Sequence, residues 1–163
     1  MLEMTMYHYT ECGLDNVWLA NGYNEIDTAY GKAYSVTAAD ELLREIAVQV
    51  AHKPGRLTGK EFRFLRVHLR LSQAAMAKVQ GVSEQNVSLW ERHGKVPRAN
   101  DTLLRFYFFA HAAGDETVRS AFDRIMTVER LVRQKIVATS GRKGWKFKVE
   151  ETKEDSGEQA VEV

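Results

Sequence analysis

The stretch Leu71–Arg92 constrains the fold of this chain more than any other. Met76, Val79, Val82, Val87 and Trp90 recur at helical spacing with one interruption at Gly81, so the stretch reads as two short helices joined by a tight turn. Ser72 and Ser83 each stand where a side-chain oxygen can cap a helix, accepting from N–H groups that have no intrahelical partner. Gly81 stands where the chain leaves the first helix, a position that calls for positive φ and therefore for a residue without Cβ. With the apolar positions turned inward, Glu84, Gln85, Asn86 and Ser88 face outward from the first turns of the second helix.

A helix with such a face has the width of the major groove of B-DNA, and Gln or Asn can bond an adenine edge bidentately. Leu71-Ser72-Gln73, Gly81-Val82-Ser83 and Val87-Ser88-Leu89-Trp90-Glu91 resemble the helix-turn-helix of the lambda-repressor/Cro-like (xenobiotic-response-element, XRE) regulators, the likeness covering residues 57–113. The resemblance implies sequence-specific binding to double-stranded DNA by a homodimer at an inverted repeat, as a transcriptional regulator of repressor type. It implies a phosphate contact for Gln73 beside the Ser72 cap. Gln85 and Asn86 then read base edges, with Glu84 and Ser88 supporting them, and the caps Ser72 and Ser83 belong to the same DNA-binding surface. Leu89 sits where many relatives carry a longer polar residue, and either contacts a thymine methyl or packs. The same resemblance pairs Arg66 with Glu91, tying an earlier helix to the end of the second one. Beyond Glu91 the pattern departs from the family, because two residues rather than one precede Gly94. Arg92, Lys95 and Arg98 remain expected phosphate ligands.

Charge supports this division of labour. The chain of 163 residues has a net charge of +1. Residues 1–53 hold 3 Lys and Arg against 8 Asp and Glu, residues 54–113 hold 10 against 4, and residues 114–163 hold 10 of each. A basic middle beside an acidic start suits phosphate binding by one segment alone. Apolar residues make up 44%, which excludes global disorder. The single cysteine, Cys12, excludes an intramolecular disulfide and fits a reducing compartment. There is neither an apolar run of membrane-spanning length nor a basic-then-apolar secretory start, so a soluble cytoplasmic protein is expected.

Ahead of the basic segment, aromatic and β-branched residues punctuated by Gly13, Asn21-Gly22 and Gly31 predict a small antiparallel sheet. Its strands are expected at Met4–Glu11, Asn16–Gly22 and near Ala33–Val36. A helix should start at Thr37 or Asp40 and run to Ala51, and Lys53-Pro54-Gly55 should end it and act as a hinge. Cys12-Gly13 in a short sheet, a helix, and then Lys53 to Arg66 are also similar to MqsA-type antitoxins, in which a zinc-bearing domain binds a toxin. Here the cysteine pairs of that family are missing, and His8, Glu11 and Cys12 do not supply the paired spacing that structural zinc uses. No metal and no cofactor is expected. The alternative that this second likeness implies is an antitoxin whose first domain holds a toxin and whose second represses its own operon.

Thr58-Gly59-Lys60-Glu61 has capping-box spacing and opens a helix to Arg70, with Phe62, Leu65 and Leu69 on one face and Phe64, Val67 and Leu71 on another. A further helix starting at Asn100 or Asp101 is so apolar that it should be sandwiched. A long helix is expected over 116–138 from the near-heptad spacing of Val118, Ala121, Phe122, Ile125, Val128, Val132 and Ile136, with part of it in a dimer interface. Trp145, Phe147 and Val149 alternate as in a strand that could pair with the N-terminal sheet, and 150–163 has a disordered composition. The expected fold is therefore α+β, mainly α, with 1–53 a small sheet plus helix for interaction or dimerisation. Residues 54–139 would form a five-helix DNA-binding domain and 140–163 a strand-like, then disordered acidic tail. No nucleophile with a base, carboxylate pair or metal cluster can be assembled, so an enzyme is not expected.

Overall fold

A computed structural model describes residues 5–112, 119–120 and 133–152. The fold is α+β and mainly α, with small antiparallel two-stranded sheets. In chain order come β1 (Tyr7–His8), β2 (Trp18–Leu19), β3 (Tyr23–Thr28), β4 (Gly31–Val36), α1 (Ala39–His52), α2 (Gly59–His68), α3 (Gln73–Gln80), α4 (Glu84–His93) and α5 (Arg98–Ala112). A last hairpin, β5 (Arg133–Gly141) and β6 (Gly144–Thr152), belongs to a second compact unit.

The N-terminal strands are more broken than their composition suggests. The expected strands at Met4–Glu11 and Asn16–Gly22 shrink to the two-residue pairs of β1 and β2, and the strand near Ala33 begins at Gly31. Its partner β3 was not foreseen, and β1–β2 and β3–β4 are separate sheets. Side chains bridge them instead of backbone bonds. The Tyr7 ring stacks on Tyr34 of β4 with centroids 4.1 Å apart and tilts against Tyr23 of β3 at 5.2 Å, while His8 stacks on its cross-strand partner Trp18 within the first sheet at 3.9 Å. Stacked and tilted ring pairs stabilise beyond simple area burial.

Helix α1 starts without help from Thr37 or Asp40. Its N-cap is Ala38, left-handed at φ 50 and making no side-chain cap bond. Its inner face (Ala47, Val50 and Ala51) joins Leu14, Leu57, Phe62, Phe64 and Leu65 in one core that also takes in Met76, Val87, Leu104 and Phe108. The Lys53–Gly55 segment therefore turns the chain within a shared core. The guanidinium of Arg105 fixes that turn by donating to the carbonyls of Lys53 and Gly55.

Helix α2 opens with the full capping box. Thr58 Oγ1 accepts from the Glu61 N–H at 3.2 Å, and Glu61 Oε1 accepts from the Thr58 N–H at 2.8 Å. Of its second apolar face, Phe64 is buried but Val67 is 56% exposed. Helix α5 begins at Arg98, two residues before the expected start. Asp101 thereby lies inside the first turn, buried, with Oδ2 accepting from the Leu57 N–H at 2.7 Å. The expectation of a fully sandwiched α5 fails at Phe106, which is 56% exposed.

From residue 54 onward the described residues hold four long helices, so the fifth of the expected bundle lies mostly outside them. Of the anticipated helix over 116–138, residues 133–138 are strand, paired antiparallel with β6 from Arg133↔Thr152 to Gly141↔Gly144. The heptad positions Val118, Ala121, Phe122, Ile125, Val128 and Val132 are outside the described residues. The strand around Trp145 pairs with β5, not with the N-terminal sheet. Residues 150–152 complete β6, and the remainder of the acidic tail is outside the described residues. No helix among the described residues is long and apolar enough to cross a membrane.

Candidate nucleic-acid interface

Helices α3 and α4 take their form from three local devices. Ser72 Oγ accepts from the Ala75 N–H at 3.0 Å, and Ser83 Oγ accepts from the Asn86 N–H at 3.2 Å. Gly81 between them adopts φ 65 and hands its N–H back to the end of α3. A residue with a Cβ would be strained at that φ, so the sharp change of direction depends on glycine.

The exposed surface this creates is polar at the start of α4. Glu84, Gln85 and Asn86 are exposed, Ser88 is half-buried, and Leu89 is 37% exposed. Behind them Val87 is fully buried and the Trp90 ring meets Phe62 edge-on at 5.9 Å. Neither amide is turned into the core. Further along, Arg92 in the last turn of α4, Lys95 in the following loop and Arg98 at the head of α5 are all exposed. Gly94, at φ 70, ends α4 and donates to the Trp90 carbonyl at 2.8 Å.

The far end of α4 is clamped to α2. Arg66 Nε lies 2.5 Å from Glu91 Oε1, Nη2 lies 3.1 Å from Oε2, and Nη1 donates to the Leu71 carbonyl at 2.9 Å. The two side chains are 10% and 5% exposed. Gln73 Nε2 donates to Glu91 Oε2 at 2.9 Å, so the residue expected at a phosphate also holds this ion pair in place.

Three features here were missed in the sequence. Gly59 lets the start of α2 approach α4 so closely that a Cβ would fall 2.4 Å from the Glu91 carbonyl oxygen. Gln80 and Asn100 exchange hydrogen bonds at 3.1 and 3.0 Å, joining α3 to α5. Their spacing of twenty residues carries no local signal. Lys60 and Arg63 line a cleft beside the clamp, together with Gln73, Ser88 and Arg92. Their placement three apart on one outer face of α2 was the available clue.

In the N-terminal module His8 Nε2 lies 2.7 Å from the Asp15 carbonyl and Cys12 Sγ lies 3.2 Å from that of Tyr9. Among the described residues no three His, Cys, Asp or Glu side chains are placed to share a metal ion. No family model, curated protein or solved structure matches this chain.

Proposed function

We propose that this protein is a sequence-specific double-stranded DNA-binding transcriptional regulator, acting in the cytoplasm as a homodimeric repressor at an inverted repeat. One observation carries the reading. The first turn of a Ser-capped helix presents Gln85 and Asn86 to solvent while its opposite side is locked by Val87, Trp90 and the Arg66–Glu91 pair. Rigid presentation of amides is what bidentate base readout requires. Gln85 and Asn86 would read bases, with Glu84, Ser88 and Leu89 beside them. Arg92, Lys95 and Arg98 would neutralise phosphates. Gln73 has one amide N–H on Glu91, leaving its second N–H and the free backbone N–H groups at the start of α3 for a phosphate oxygen. Binding of the full chain to duplex DNA, measured against salt, tests the reading. Affinity should fall steeply as salt rises, in proportion to the phosphates contacted.

One observation favours the antitoxin reading as a second possibility for the first module. Trp18 is 56% exposed, Ile26 51% and Tyr34 39%, on an acidic segment. Aromatic exposure of that kind is typical of protein-binding surfaces. A toxin partner would make the same DNA-binding unit an autorepressor. Co-purification of a stable protein partner with the full chain, lost when the exposed Ile26 is replaced by Lys, distinguishes the two.

A further inference from the structure

A cleft of about 930 Å³ lies between the loop Tyr9–Gly13, helix α1 at Leu43, helix α2, and the ends of α3 and α4. Its lining mixes two kinds of residue, and on α2 both share one stripe, Lys60, Arg63, Phe64 and Val67 standing at i, i+3, i+4 and i+7. Tyr9, Leu43, Phe64 and Val67 are apolar, the last of these 56% exposed. The cations are Lys60, Arg63, Arg66 and Arg92, and the two lining carboxylates are engaged, Glu11 by the Tyr7 hydroxyl and Glu91 by Arg66. Arg66 is spent on Glu91, and Lys60 meets Asp15 at 3.2 Å, but Arg63 and Arg92 have no carboxylate partner among the described residues. The volume is in the range of small-molecule sites, and apolar walls with a few convergent charges are their usual lining. A DNA backbone would use the cations and leave the apolar lining idle.

We propose that this cleft binds a small organic carboxylate with an aromatic or branched apolar body, its carboxylate on Arg63 and Arg92 and its body against Phe64 and Val67. The site also contains Gln73 and Ser88, so the bound anion competes with phosphate for Arg92 and Gln73 and weakens DNA binding. That regulatory half rests on the DNA-binding reading given above, whereas the binding half does not. By linkage, DNA weakens the anion by the same factor.

Titration of the isotopically labelled full chain with 2-naphthoate and with uncharged 2-naphthamide tests the site. Naphthoate should bind with a Kd of about 1 mM or below and move the amide signals of Tyr9, Cys12, Val67, Ser88 and Arg92. Naphthamide should bind about tenfold more weakly, and Arg63→Glu should lose naphthoate about tenfold while Lys78→Glu, outside the cleft, binds like the parent. Arg63 is exposed and has no carboxylate partner among the described residues, so the variant should keep the parental Tm. Absence of shifts at these amides up to ~10 mM, equal binding of the amide, or parental binding by Arg63→Glu overturns the site. With naphthoate at about ten times its parental Kd, the Kd for duplex DNA should rise about tenfold in the parent and only about twofold in Arg63→Glu. DNA binding indifferent to bound naphthoate overturns the regulation. A protein that binds naphthoate in the cleft and never retains duplex DNA at low salt sinks the DNA reading and leaves the site standing.

Discussion

Arg66 and Glu91, on α2 and α4, form a bidentate ion pair at 2.5 and 3.1 Å in which both side chains are almost wholly withdrawn from water. Breaking it from one side leaves a buried charge without its partner. Glu91→Ala should therefore lower stability by about 3 kcal/mol, several times the worth of a surface pair. Chemical denaturation of the variant checks this, and a stability equal to that of the parent would show the pair to be idle. The double variant Arg66→Met, Glu91→Leu should recover much of the loss, since no lone charge remains.

Gly59→Ala should destabilise, against the usual rule for helices. Alanine in a helix normally gains about 1 kcal/mol over glycine. At this position the new Cβ meets the Glu91 carbonyl oxygen at 2.4 Å and that of Trp90 at 2.8 Å, both backbone atoms that cannot swing aside. Overpacking of this kind costs about 1–3 kcal/mol. A higher Tm for the variant would contradict the close approach of α2 to α4.

Ala38→Gly should stabilise. Ala38 holds φ 50 at the head of α1, in a region where a Cβ costs about 1–2 kcal/mol and glycine costs little. Glycine returns part of that through its freer unfolded chain, leaving a gain of about 0.5–1 kcal/mol, readable as a shift in denaturation midpoint.

Acid should weaken the fold in two windows. Burial by itself would raise the Glu61 carboxyl, but the Lys53 ammonium at 2.7 Å and the Thr58 N–H more than offset it and hold it below its ordinary 4.5. A carboxyl lowered on folding binds protons more readily when unfolded, so its contribution is complete above 4.5 and is lost as pH falls through the folded value. His68 is lowered from its ordinary 6.5 by burial first, then by Arg44 and Arg70. Its neutral form is favoured by the fold, so stability declines on acidification from 6.5 downward. Denaturation midpoints against pH should show both slopes, with His68→Gln removing the upper and Glu61→Gln the lower. Unchanged slopes in either variant would contradict the assignment.

The legible parts of this fold were those fixed by single-residue chemistry. Thr58, Ser72 and Ser83 each satisfy a helix start by their own oxygen, and Gly81 announces its φ by lacking a Cβ. Strands set by long-range or turn chemistry were harder to read. Strand β3 sets Asn24, Glu25 and Asp27, poor strand formers, among Tyr23, Ile26 and Thr28, and is held by pairing with β4 and by Thr28 Oγ1 donating to the Gly31 carbonyl at 2.6 Å. At 133–141 the spacing of Val132 and Ile136 imitated a heptad, while the decisive signal was the Gly141-Arg142-Lys143-Gly144 turn that closes the hairpin. In the candidate interface the polar face of α4 could be read from periodicity. Gly59, the Gln80–Asn100 link and the cleft could not, because each depends on segments brought together only by folding.

The interface makes separable predictions for cations and amides. Replacing Arg92 or Lys95 by Ala should weaken binding to all sequences alike and reduce the salt slope by about 1 for each phosphate contact removed. Fluorescence anisotropy at several salt concentrations measures both quantities. An unchanged slope would place these side chains away from the backbone.

The most direct test of the central claim is selection of bound fragments from random duplex DNA by the full chain and by Gln85→Ala, at two salt concentrations. The account predicts that the parent enriches an inverted repeat, and that the variant binds it about 1–3 kcal/mol more weakly with relaxed preference at one base pair in each half-site. No enriched sequence, or the same sequence enriched equally by parent and variant, would contradict it.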